Sequence, residues 1–429
     1  MAENTNRKIR KRTYYEIAIK TASPLIIGNG ESFETDMDIL RNSEGRVFVP
    51  GTSLAGAFRG YHETKKKENE LYGYSSKEDG RMSSLYISDL YFAQDSQVIS
   101  VRDHVRLSED KGVENKYDGE ILERGATGTL RIELVEREGD PEDWEQQVAE
   151  LICAIHDGEI RFGSQKNRGN GRFLVESVNT VSYTMAERSA WVAYMSEGRW
   201  PHPAKVFAEW RREKKEPEKN YIRVRVPLRL TGGISIRRYS TRPGKADYEQ
   251  LTSKGVPVIP GSSWNGAIRH DVLRILKELG MSRQRAEQYT GCWFGNVKTK
   301  ENENTRQSMI VIAESLLTDA TPVPMTRGKI NRFTAGVKDG ALYTELSYFG
   351  GTTVLEYLVP KKEAEDYRKI LAVMELAVKD IANGYTAIGG QTAVGRGIFE
   401  GAGEIEYSED VDRQACFKEL YELIRGGAA

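Results

Sequence analysis

Three aspartates stand where a carboxylate could act on a phosphodiester. Asp36 and Asp38 lie in the run ETDMDILR (34–41), and Asp247 lies in ADYEQL (246–251). A carboxylate held beside a bound phosphodiester can ligate a divalent cation or take a proton from a 2′-hydroxyl. Taken alone these are ordinary surface acids; their position singles them out. Each run precedes a Pro-Gly-small-Ser segment, PGTSLAGAFR (50–59) and PGSSWNGAIR (260–269). Backbone N–H groups at a helix start, with the hydroxyls of Thr52 and Ser53 or of Ser262 and Ser263, form an anion-binding corner, and Arg59 or Arg269 closes the first turns. One copy alone would read as a capped helix after a tight turn. Two copies, each keeping its arginine, favour phosphate contact.

Two glycine-rich segments add cations: GSQKNRGNGR (163–172), with Lys166, Arg168 and Arg172, and GGQTAVGRG (389–397), with Arg396. Glycine lets backbone approach a ligand closely. Neither segment ends in the GK[ST] of a nucleotide P-loop, so nucleoside triphosphate binding is not indicated; a plain glycine hairpin is the alternative. Segments 102–131 and 325–352 are rich in charge and turn residues yet begin and end strand-like, which predicts two long hairpins. Their apolar wedges would be Leu107, flanked by His104 and Arg106, and Phe333, beside Arg332. A solvated insertion is the alternative for each. Of the 5 histidines, His104 lies beside Asp103 in the arm, where it could assist, and the others show no ligand spacing; with the 3 cysteines far apart, this argues against a tight His/Cys metal site and a disulfide framework.

The elements that must position these residues occur twice. PLIIGNG (24–30), RVFVPGTSLAGAFR (46–59), LYGYSSKEDGRMSSLYISDL (71–90), the hairpin segment and RFGSQKNRGNGRF (161–173) have ordered counterparts. These are RLTGGIS (229–235), VPVIPGSSWNGAIR (256–269), CWFGNV and MIVIAESL, the second hairpin segment, and AIGGQTAVGRGIF (387–399). The repetition predicts a basic N-terminal arm (1–12), a first domain (13–182), a linker (183–220), a second domain (221–408) and a C-terminal helix (409–429). Tyr15, Ile17 and Ile19, and again Ile222 to Leu230, alternate with polar residues as strands do, the second with Arg223, Arg225 and Arg229 on its other face. Strand–helix–strand–strand–helix–strand is the ferredoxin-like, RRM-like order of an α+β domain.

With 39% hydrophobic and 29% charged residues, the 429-residue chain has material for packed cores. No apolar stretch is long enough to span a membrane, and the start lacks a secretory apolar segment, so a cytoplasmic protein without membrane partners is expected. A net charge of −1 gives no global attraction to nucleic acid, but RKIRKR (7–12) and the arginines of 221–238 are local clusters.

On these motifs the chain resembles two fused RAMP-superfamily domains, of the kind forming the backbone of type III CRISPR effector complexes, and within those most the fused subunits of III-D-like systems. The resemblance rests on PGTSLAGAFR and PGSSWNGAIR, GSQKNRGNG and GGQTAVGRG, and the two hairpins, and covers about 13–408. It implies two RAMP domains with long inserted loops and thumb hairpins. It also implies a guide RNA held by its phosphates, thumbs that kink the guide–target duplex, a single-stranded target RNA, other Cas subunits as partners, and a role in antiviral defence. In relatives an Asp of the first loop supports metal-dependent cleavage of target RNA, with Mg2+ or Mn2+. Asp36 best occupies that place, with Asp38 as rival, and Asp247 lies near it in the second copy without a clean match. A non-catalytic scaffold is the alternative. A guide-processing nuclease would depend on a histidine near the first helix, where only His62 stands.

Overall fold

The computed structural model describes residues 7–30, 35–64, 69–75, 80–107, 113–196, 203–239, 246–296, 305–361 and 366–426. Contacts divide the chain into two compact units, 1–166 with 170–220, and 167–169 with 221–429.

In unit 1 the strand Ile9–Thr21 buries Tyr15, Ile17 and Ile19 on one face, the period of two that the sequence shows. It pairs antiparallel with Thr127–Arg137 on one side and Phe173–Thr184 on the other. Leu85–Ile87 and Leu90–Phe92 pair with the far edge of Thr127–Arg137. Spatial order is therefore fourth, first, third, second, the ferredoxin-like arrangement. Helix α1 (Gly51–Thr64) turns Leu54, Phe58 and Tyr61 onto this sheet, and α2 (Trp144–Asp157) adds Val148, Leu151, Ile152 and Ile155. These are helical spacings, and each such side chain contributes about 1.5–3 kcal/mol on burial.

Unit 2 repeats the order: Phe399–Gly401, Tyr221–Leu230, Thr352–Pro360 and Val311–Ile312 lie side by side and antiparallel. Its helices are α5 (Gly261–Glu278), burying Trp264, Ile268, Val272 and Leu276, and α7 (Tyr367–Ala382), burying Ile370, Val373, Met374, Ala377 and Ile381. A helix, α6 (Arg283–Phe294), follows α5 where unit 1 has, among the described residues, the short turn Asn69–Tyr72. Each unit projects one long hairpin between its second and third strands. The first arm is Ile99–Leu107 with Val113–Leu122, and the second is Thr321–Ile330 with Val337–Phe349.

Two regions, the basic run and the arginine face, differ from the sequence reading, and the structure shows where the connector packs. Residues 9–12 are strand, not free arm, and the basic run is neutralised by distant acids: Arg7 meets Asp140 (2.5 Å), Arg10 Glu136 (3.1 Å), Lys11 Glu145 (2.7 Å), and Arg12 Glu133. The connector packs into unit 1. Its last strand runs to Thr184, α3 (Arg188–Ser196) follows, and α4 (Phe207–Arg212) sends Phe207 and Trp210 into the core. Arg211 of α4 grips Asp157 with both terminal nitrogens (2.8 and 2.9 Å). Finally, the cationic face of Tyr221–Leu230 is matched by acids on neighbouring strands. Arg223 faces Glu356 (3.8 Å), Arg225 Glu406 (3.2 Å) and Arg229 Glu400 (3.5 Å), so that face is mixed in charge rather than basic.

The C-terminal helix α8 (Arg413–Arg425) docks on α7 through Cys416 and Leu420. Its Arg413 donates Nε to buried Glu375 (3.0 Å), which also meets Lys379 (2.8 Å) and the Tyr407 hydroxyl (3.1 Å). Burial opposes ionisation of Glu375, but hydrogen bonds from Arg413 and Lys379 outweigh it and hold the carboxyl below its usual value.

Candidate functional site

The loop acids sit at the roots of the arms. Asp36 is exposed, and its Oδ2 accepts the N–H of Asp118 on the second strand of the first arm (3.0 Å). The N–H of Asp36 donates back to Asp118 Oδ1 (3.0 Å). In unit 2 exposed Asp247 makes the matching contact: its Oδ2 accepts the N–H of Thr344 on the second arm (2.8 Å), and its own N–H donates to Thr344 O (2.8 Å). Four residues on, Leu40 N–H donates to Ile27 O (2.7 Å) and Leu251 N–H to Ile236 O (2.8 Å). Asp247 is thus the spatial counterpart of Asp36, a match that counting along the sequence reaches only approximately. Asp38 is half-buried and its Oδ1 accepts the Thr35 hydroxyl (2.5 Å). Of the two rivals, Asp36 presents the more accessible carboxylate.

What surrounds the two acids differs. Asp118 is cross-strand partner to Asp103, so the first arm root carries three carboxylates; like charges directly opposite repel. At the second root the same pair is Thr326 and Thr344, whose hydroxyls hydrogen-bond (3.1 Å). Carboxylate oxygens are the hard donors that Mg2+ or Mn2+ takes. Among the described residues, however, no group of three or more His, Cys, Asp or Glu is placed to hold a metal ion. The donor set fits a cation held by one or two carboxylates, with the remaining oxygens coming from bound phosphate.

The helix starts are built alike. Ser53 N–H donates to Pro50 O and Ser263 N–H to Pro260 O, 2.9 Å in both. Thr52 and Ser53 are exposed, Ser262 and Ser263 half-buried. In unit 1 the first N–H of the helix, that of Gly51, is held by Asp89 Oδ1 (2.7 Å), so an acid of the protein already sits at that corner. The retained arginines, both exposed, are tied to main chain: Arg59 donates Nη2 to Gly73 O (3.1 Å) and Tyr72 O (3.3 Å), and Arg269 donates Nη1 to Gly295 O (3.0 Å). In each unit one of these carbonyls belongs to a glycine with left-handed φ, Gly73 (69°) and Gly295 (83°). In each unit the arginine therefore braces the chain that follows the helix, an arrangement the sequence reading as a phosphate ligand did not include.

The glycine-rich segments form a main-chain clasp. Gly171 N–H donates to Pro24 O and Gly397 N–H to Gly233 O, both 2.8 Å. Phe162 N–H returns to Gly171 O (3.0 Å) and Ile388 N–H to Gly397 O (2.8 Å). A Cβ at Gly171 would lie 1.8 Å from Phe162 O, and one at Gly397 1.9 Å from Ile388 O, so only glycine fits. The close approach is to the protein's own backbone. Around the first clasp, Lys166 and Arg168 are exposed, whereas half-buried Arg172 lies against Gly158 at the C-terminus of α2. The gapless match of the two segments puts Thr392, Val394 and Ile398 where the first has those three cations. Arg396 stacks over Phe349 (4.7 Å) and points Nη2 at Met325 Sδ (3.4 Å).

Phe333 and Arg332 stand at the tip of the second arm, and Phe333 is 98% exposed. His104, Arg106 and Leu107 belong to the first strand of the first arm, opposite Tyr117, Asn115 and Val113, but their side chains lie outside the described residues. His62 is buried and bonded through Nδ1 to the Tyr72 hydroxyl (2.8 Å), a core position unlike that of a general base.

The chain matches the RAMP superfamily over residues 18–174 and 221–400, one match for each unit. It belongs to that superfamily. No curated protein matches the chain. As a tandem RAMP protein it falls among CRISPR-related RNA-binding components of Cas complexes, a superfamily that includes nucleases. Among the described residues no helix is long and apolar enough to cross a membrane.

Sequence reasoning passed over Asp118, Asp89 and the glutamines Gln165 and Gln391. Both glutamines hold left-handed φ (53° and 58°) and reach the arm roots, Gln165 Nε2 to the Tyr117 hydroxyl (3.4 Å) and Gln391 Nε2 to Glu345 Oε2 (2.6 Å). Their signal was present: Gln follows Gly-Ser and Gly-Gly at the same step of both repeats.

Proposed function

We propose that this tandem RAMP protein is a backbone subunit of a type III CRISPR–Cas ribonucleoprotein in the cytoplasm, III-D-like in its fusion of two domains. It lies along a guide RNA beside other Cas subunits and serves antiviral defence by cutting complementary single-stranded target RNA. The observation that carries the reading is the seat of Asp36, an exposed loop carboxylate fastened by one oxygen to the root of a projecting arm. The arm would hold the target strand against the loop. Asp36 Oδ2 is fixed by the Asp118 N–H, which orients Oδ1 toward bound phosphodiester, either to hold a divalent ion or to accept the 2′-hydroxyl proton. Bound Mg2+ or Mn2+ would supply charge stabilisation at the scissile phosphate. Lys166 and Arg168, exposed on their turn, would hold guide phosphates.

In the assembled complex with Mg2+ or Mn2+, Asp36→Ala is expected to abolish one target cut while RNA content and assembly persist. Asp38→Ala would leave that cut in place, and product gels read both. An unchanged product ladder for Asp36→Ala removes this acid from the chemistry. It would favour the scaffold reading, which has its own support: both loop acids already serve to tie a loop to an arm.

A further inference from the structure

Unit 2 carries a concave polar surface beside its helix α6. Helix α6 presents Gln284, Glu287, Gln288, Gly291 and Cys292 at steps of three and four, one helical face, while Ala286, Thr290, Trp293 and Phe294 are buried on the other. A polar helix face is usually a convex, solvated one. Here Arg269 from α5 and Asn296 and Arg306 from the following segment wall it in, enclosing a cleft of about 410 Å3. That is within the ~300–1,000 Å3 typical of small-molecule sites.

The chemistry of the lining is specific. Arg306 brings a positive charge, Arg269 is engaged with Gly295 O (3.0 Å), and Glu287 is already paired with Arg283 (2.6 Å). The cleft therefore favours an anion. Arg306 is held over the floor, its Nη1 3.5 Å from Cys292 Sγ, a weak acceptor that leaves the guanidinium available for a phosphate. Gln284 and Gln288 are exposed, and among the described residues neither side chain makes a hydrogen bond. Amides a turn apart, each with donor and acceptor, match the mixed edge of a nucleobase. Small Gly291 and Cys292 leave room at the base of the cleft.

We propose that the α5–α6 cleft of unit 2 binds a single nucleotide, its phosphate on Arg306 and its base edge on Gln284 and Gln288. The nucleotide could be free or an unstacked residue of an RNA strand; the shared ligand is a nucleoside phosphate. The inference does not use Asp36 and stands or falls apart from target cleavage.

The full chain contains its own probe. Cys292 is half-exposed in the cleft, whereas Cys153 and Cys416 are buried. The rate of Cys292 alkylation, followed by mass spectrometry, would be measured with AMP, GMP, CMP, UMP, a short single-stranded RNA, ribose 5-phosphate and inorganic phosphate. At least one mononucleotide or the RNA is expected to slow labelling about tenfold at saturation, with the two phosphate controls much weaker. Arg306→Ala and Gln288→Ala should remove that protection without moving the thermal midpoint. Protection by RNA at lower concentration than by mononucleotides identifies the strand as the source, and protection by mononucleotides alone identifies a free nucleotide; both uphold the site. The proposal is overturned if no nucleotide or RNA slows labelling, if inorganic phosphate protects as well as the nucleotides, or if both variants keep full protection.

Discussion

The two arm roots share a frame and differ in chemistry. In both, a loop aspartate accepts a main-chain N–H from the second strand of an arm, a left-handed glutamine reaches toward the same strand, and a glycine clasp closes the unit behind it. Around Asp36 the cross-strand pair is Asp103 and Asp118; around Asp247 it is Thr326 and Thr344. The second root instead gathers cations. Arg327 and Arg396 lie near buried Glu345, and Arg237 stacks over Tyr248 (4.6 Å). Burial opposes ionisation of Glu345, yet hydrogen bonds from Ser347 and Gln391, with these arginines, hold its carboxyl below the usual value. Duplication has kept the main-chain scaffold and let the side chains diverge, toward an opposed pair of acids at one root and an opposed pair of hydroxyls at the other.

The clasp offers the harshest test of equivalence. Gly171→Ala and Gly397→Ala each drive a Cβ into a carbonyl oxygen at φ of 74° and 72°. Each should destabilise its own unit by at least about 3 kcal/mol. Gly395→Ala, at φ 81° with nothing within 4 Å, should cost only about 1 kcal/mol. Chemical denaturation that found the first two mild would break the claim that both clasps do the same work.

The arginine braces come next. Arg59→Ala and Arg269→Ala should each cost about 1–2 kcal/mol, because a carbonyl loses a charged donor. RNA affinity should keep nearly the same salt dependence. A salt slope lowered by about one unit for either variant would return that arginine to the phosphate contacts.

The smallest effect separates the units by pH. Glu375 of unit 2 has a lowered carboxyl, so its contribution is fully present above the unfolded value of about 4.5 and is lost as pH falls through the folded value. Glu136 of unit 1 is raised, by burial first and by neighbouring Glu145, so its ionised form weakens the fold and acid relieves that penalty. Stability measured against pH should lose the acid decline in Glu375→Gln and the acid relief in Glu136→Gln. Parallel profiles for the two variants would contradict the opposite signs.

Much of the frame was legible because it repeats. Strand alternation at Tyr15–Ile19 and Ile222–Leu230, the Pro-Gly helix starts and the two arms are local patterns, and the structure follows them. Contacts across long sequence separations were not legible. Nothing local tells Arg59 that it will meet Gly73 O, or tells RKIRKR that Glu133, Glu136, Asp140 and Glu145 await it across the sheet. The match of Asp247 to Asp36 was only approximate in the sequence, because counting back from the two helix starts lands one residue away from Asp247. Hydrogen bonds to the arms reveal it.

Each clasp joins the end of a unit's first strand to the start of its last. It therefore closes one of the long loops of that unit, and most of the unit's chain must be present before it can form. During synthesis the first module can lock only after its glycine-rich segment has left the ribosome, so a chain stalled short of that point carries strands and helices whose final fastener is missing.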